Sequence, residues 1–179
     1  WRRGQVAFNR GEYLTAIEAF NEYTSSFQLD AIPADLYLLL GRSYREIGNS
    51  DAALVAFQTL IDQYPGDPLF GEALLERGRT RFLAGDYPAA IETYLAVARD
   101  YAALTETAAE AMWRAGYLYG TQLEEFAQSR QTFVELADRY PTSEWALSGL
   151  QIAASVAVAN GNNSVAEDLY GRLATITAG

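Results

Sequence analysis

The chain has 179 residues, half of them hydrophobic, and a formal net charge of −10 from 13 basic and 23 acidic side chains. That composition excludes disorder, and the acidity argues against a general nucleic-acid binder, which needs basic surface for phosphates. Cysteine, histidine and lysine are all missing, which removes disulfides, zinc–thiolate sites, the commonest general base, Schiff-base chemistry and the phosphate-binding lysine of nucleotide loops.

The predicted elements run as helix pairs at about 1–10 with 13–26, 34–47 with 51–63, 69–84 with 88–100, 105–120 with 125–139, and 143–159 with 164–177. In the second pair, Leu36, Leu40, Tyr44 and Ile47 fall at helical spacing and Gly48 supplies the stop. Ala53, Leu54, Phe57, Leu60 and Ile61 form the next stripe, ended by Tyr64-Pro65-Gly66-Asp67-Pro68. Pro88 fits the first turn of its helix. Nothing reads as a strand. The longest apolar run, Ile152 to Ala159, is broken by Ser155 and is too short to span a membrane. The chain begins at Trp1, so it reads as a piece of a longer protein.

The pairs repeat. Phe20, Phe57, Tyr94, Phe133 and Tyr170 are separated by 37, 37, 39 and 37 residues. Phe27, Tyr64, Tyr101 and Tyr140 keep a similar step, as do Gly4, Gly41, Gly78 and Gly116, and Gly11, Gly48 and Gly85 with Gly161 two repeats further on. A fixed period of this size marks a stacked solenoid. The glycines in mid-helix cost about 1 kcal/mol each against alanine, which is tolerable where a neighbour packs on bare backbone. Ala16, Ala53, Ala90 and Ala166 occupy the matching small position on the second helices. The fourth unit lacks the second glycine and carries an extra residue or two near Glu124, and the fifth has Ala153 or Ala154 in place of the first.

Leu40-Gly41, Tyr44, Gly48, Ala53, Phe57 and Pro65 resemble the tetratricopeptide repeat. The resemblance covers the whole chain as one domain, residues 1–179, with repeats at about 1–30, 31–67, 68–104, 105–141 and 142–179. It implies an all-α, right-handed α-solenoid of about five antiparallel helix pairs, with first helices lining a concave groove. The 37-residue period and the Tyr-Pro endings look like repeats of bacterial cell-envelope proteins, which points to periplasm or envelope. The function implied is a protein–protein interaction scaffold gripping an extended or helical peptide; the alternative is a non-catalytic helical module of a larger cell-wall enzyme of the lytic transglycosylase kind, or an envelope assembly lipoprotein.

By the family pattern, residues three before and one after the first glycine line the groove. These are Trp1, Leu38, Leu75 and Trp113, and Gln5, Arg42, Arg79 and Tyr117; Arg45 adds a further charge. On the predicted boundaries the first helices carry nine arginines and seven acids, a net of +2, against −12 elsewhere. Either the inner face attracts an acidic partner, or the sorting reflects ion pairs between helices. Arg77 and Arg81 stand where the pattern has Leu40 and Tyr44, and are expected to pair with acids such as Glu76, Asp86 or Glu92. The family's carboxylate clamp requires lysine and is not supported. Val165, Leu169, Leu173 and Ile176 are expected to be exposed on the last helix and to allow self-association. No catalytic constellation, cofactor motif or metal-ligand set is present, so the chain reads as a non-enzyme that binds another protein, does not bind nucleic acid and does not itself insert into a membrane. Adjacent acids such as Glu124-Glu125 point different ways on a helix surface.

Overall fold

A computed structural model describes residues 1–178, apart from the side chains of Asp30 and Ala178. The described residues form helices α1 (Arg2–Asn9), α2 (Tyr13–Ser26), α3 (Ala34–Glu46), α4 (Ser50–Gln63), α5 (Phe70–Leu83), α6 (Tyr87–Asp100), α7 (Thr105–Thr121), α8 (Phe126–Arg139), α9 (Glu144–Ala159) and α10 (Asn163–Ala178), with a short 3-10 turn at Leu29–Ala31. No strand occurs among them. Each observed boundary lies within about two residues of the one expected from periodicity. None of these helices is long and apolar enough to cross a membrane.

The chain divides into two compact units, Trp1–Asp86 and Tyr87–Gly179. The division falls inside the third sequence repeat, between α5 and α6. In the first unit α1 packs on α2 and α3 on α4; in the second α7 packs on α8 and α9 on α10. Consecutive helices joined by short turns and packed along their lengths run antiparallel.

Those turns have a common mechanism. Gly48 takes φ +79°, its N–H donates to the Arg45 carbonyl, and the Asn49 N–H reaches back to the Tyr44 carbonyl. This doubly bonded left-handed stop recurs at Gly11, Gly85 and Gly161. Asn49 then starts α4, its side chain accepting from the Ala52 N–H. In the fourth repeat the glycine is missing and Glu124 adopts the left-handed conformation, at φ 57°.

A second contact sets the spacing within pairs. Phe20, Phe57 and Phe133 are fully buried, and each lies against a glycine of its pair's first helix. A Cβ added at Gly41 would stand 2.5 Å from Phe57 Cε1, and one at Gly116 would stand 2.8 Å from Phe133 Cε1. Phe133 is also met from the next pair, where a Cβ at Gly149 would come within 2.4 Å of its ring. Bare backbone on both sides therefore seats one phenyl ring between α7 and α9.

The last pair departs from the repeat, and one sequence expectation fails here. Tyr170 stands at the same register but is 48% exposed. The matching position of its own first helix holds alanine, Ala153 or Ala154, where the other pairs have glycine. Val165, Leu169, Leu173 and Ile176 are not presented to solvent: Leu169 and Leu173 are buried, and Val165 and Ile176 pack against the core of α7, α8 and α9. The stripe read as exposed is the face by which α10 docks on its own pair.

Two substitutions separate these effects. Gly116→Ala destabilises by about 1–3 kcal/mol in urea unfolding, because overpacking against Phe133 outweighs the gain of about 1 kcal/mol in helix propensity. Glu124→Gly stabilises by about 1 kcal/mol by removing the left-handed strain. A stabilised Gly116→Ala variant would contradict the glycine-seat account.

Candidate functional site

In the first unit Arg42 and Arg45 of α3 are already occupied. Glu76 on α5 is buried, its side chain 5% exposed. One carboxylate oxygen, Oε1, accepts from Arg42 Nε at 2.9 Å and Nη2 at 2.7 Å, and the other accepts from Arg45 Nη1. Arg42 Nη2 also binds Glu72, Arg45 Nη2 reaches Glu46 at 3.2 Å, and Arg79 Nη1 lies 4.0 Å from Glu76. Burial works against the charge of Arg42, but its hydrogen bonds and charge contacts with Glu76 and Glu72 hold its pKa above the ordinary arginine value. Three arginines thus meet three carboxylates. The arginine excess that suggested an acidic partner is absorbed at this point by ion pairs between α3 and α5.

Arg45 is the most enclosed of the three arginines. Its side chain is 7% exposed, and its buried Nε finds no acceptor. Leu38, expected to line the groove, is 4% exposed and lies within the core; Leu75 is partly buried. Trp1 packs against the α1–α3 core with its ring 6.1 Å from Phe20. Arg77 and Arg81 are partly buried and both are engaged in contacts. Of the expected set in this unit, Arg79 alone is mostly exposed, at 52%.

In the second unit the expected pair comes together. Trp113 and Tyr117, one turn apart on α7, stack with centroids 5.1 Å apart and planes 14° from parallel. Trp113 also meets Trp145 of α9 at 5.4 Å, and its Nε1 donates to Ser148 Oγ at 3.1 Å. Trp145 and Ser148 escaped the sequence reading because their register depends on how α9 lies beside α7. Arg114 is held by Glu110, four residues earlier. Tyr117 is 41% exposed and keeps its ring available, whereas Trp113 is partly buried against the core. Among the described residues no cluster of carboxylates could hold a metal ion.

Side chains at the ends of second helices tie successive repeats together. Tyr64, ending α4, donates to the Ile32 carbonyl at 2.7 Å or the Leu29 carbonyl at 3.0 Å, both in the turn before α3. At the corresponding end of α8, the Arg139 guanidinium donates to the Ala98 carbonyl at 2.7 Å. The Tyr-Pro endings therefore have a structural task.

Removing Glu76 would leave Arg45 charged and buried without its counter-ion. Glu76→Ala is expected to cost about 3–5 kcal/mol, and a Glu76→Met, Arg45→Met double variant to recover most of that loss, measured by chemical denaturation. A double variant no more stable than the single would contradict the pairing.

Two tetratricopeptide repeat family models match the sequence, one over residues 38–105 and the other over 110–143. No curated protein sequence matches significantly. Among solved structures, MamA aligns over 98% of this chain and 94% of its own at 19% identity, with a TM-score of 0.61. A tetratricopeptide repeat protein from Parabacteroides merdae aligns over 99% of this chain and 65% of its own at 18% identity, with a TM-score of 0.65. At those identities the likeness shows a common all-α solenoid fold. Together the two models span more than half of the sequence, and the chain belongs to the tetratricopeptide repeat family, whose members serve as protein-interaction scaffolds.

Proposed function

We propose that the chain binds an extended or helical segment of another protein on the outer faces of its first helices, with Tyr117 and Trp113 of the second unit as principal contacts. The observation that carries this reading is the Trp113–Tyr117 stack, an aromatic pair left partly open with Trp145 and Ser148 of α9 against Trp113. Such pairs supply contact area at low entropic cost and are the side chains that dominate protein interfaces. Arg79 is the corresponding open contact of the first unit. Arg42 and Arg45 support the surface from beneath, as positioning residues, rather than by touching a partner.

The reading separates contact from support. Charge reversal at Arg42 would set a third carboxylate beside Glu72 and Glu76, so it reports on folding. Tyr117→Ala removes contact area with little loss of core. Peptides selected from a random display library on the wild-type chain are expected to lose about tenfold or more in affinity, at least about 1.4 kcal/mol, for Tyr117→Ala. Fluorescence anisotropy reads the affinity, and an unchanged unfolding midpoint confirms the fold. Selected peptides that bind the variant as tightly as the wild type would contradict the assignment.

A further inference from the structure

On the α7–α9 face the charges left without an ion-pair partner are acidic. Glu106, Glu110, Trp113 and Tyr117 follow one another at steps of four, three and four residues, which places them on one side of α7. Glu110 is neutralised by Arg114; Glu106 is exposed. Glu144 is exposed one turn before Ser148, the residue that accepts the Trp113 indole hydrogen bond. Residues 87–179 carry eleven acids and five arginines, a net of −6.

We propose that the partner segment is basic and runs along this face, with one arginine or lysine against the open ring of Tyr117 and further cations meeting Glu144 and Glu106, the latter eleven residues and so about 16 Å back along α7. This rests on the reading of the first-helix face given above. An aromatic ring attracts a cation through its face, more strongly when the contact excludes water. Carboxylates elsewhere on the face attract the other cations of the segment, and that attraction weakens with salt. An acidic segment would meet the same ring among like charges with no free arginine nearby, since Arg114 is already paired. Glu106 and Glu144 also sit in the first turns of α7 and α9, where acids favour the helix ends. Their contribution to a partner therefore has to be read from binding and not from stability.

The probes are three short fluorescein-labelled peptides of alternating leucine and arginine, leucine and serine, and leucine and glutamate, titrated into the whole chain at low and at high salt. The arginine peptide is expected to bind about tenfold or more tighter than the serine peptide at low salt, with the gap narrowing at high salt. Glu106→Gln with Glu144→Gln should close most of that gap. Glu92→Gln with Glu167→Gln, the same charge change on second helices of the unit, should leave it open. Tyr117→Ala should weaken both the arginine and the serine peptide, and the arginine peptide more. Equal affinity for the arginine and serine peptides, preference for the glutamate peptide, or an equal loss from both double variants would overturn the basic partner while leaving the face assignment standing. Binding insensitive to Tyr117→Ala, or no binding by any peptide, would overturn the face assignment with it.

Discussion

The contact on which the rest depends is a phenyl ring laid on bare helix backbone. Phe133 is fully buried between Gly116 and Gly149, and no side chain larger than hydrogen fits at either glycine without moving the ring. Because the ring belongs to a second helix and both seats belong to first helices, one residue fixes the approach of α8 to α7 and of α9 to α8. Phe57 on Gly41 and Phe20 on Gly4 repeat the half of this contact made within a pair. Each glycine gives up helix propensity of about 1 kcal/mol, and burial of the ring more than offsets it: truncating a buried phenylalanine typically costs about 3–5 kcal/mol. The outer faces of the first helices are then free to carry side chains chosen for other reasons.

The two units use those faces differently. In the first, Glu76 draws Arg42 and Arg45 together into a nearly closed ion-pair group, with Glu72 and Glu46 at its rim. A buried group of this kind adds little net stability over well-packed apolar residues, yet losing one member is costly. It therefore acts to specify how α5 sits beside α3. In the second, a stack of aromatics does the joining, through Trp113, Trp145 and Ser148, and leaves Tyr117 open.

Much of the fold was legible because it obeys local rules. The 3.6-residue apolar period, the left-handed glycines and the aromatic step located the helices and turns to within about two residues. What escaped the sequence depends on geometry between helices. Leu38 was assigned outward by analogy of register, but it is buried. The sorting of charge left two readings open, an acidic partner or ion pairs between helices, and for Arg42 and Arg45 the pairing with Glu72 and Glu76, some thirty residues later, depends on how α5 lies beside α3. The stripe Val165, Leu169, Leu173 and Ile176 was correctly seen as one face of α10 and wrongly given to solvent, since periodicity gives a face but not what covers it. Tyr170 followed the aromatic step in number but is 48% exposed, since a sequence step fixes a register and not the neighbours that cover it. The Trp113–Tyr117 pair was legible because it needs only a spacing of four on one helix.

The central claim is that partners meet the first-helix face. It is tested most directly by placing a photo-crosslinking amino acid at Tyr117 on α7 and, in a separate variant, at the exposed Gln131 on α8, then irradiating each with a saturating selected peptide. The account predicts a covalent peptide adduct at position 117 and none at 131. Adducts at 131, or at both positions equally, would contradict it.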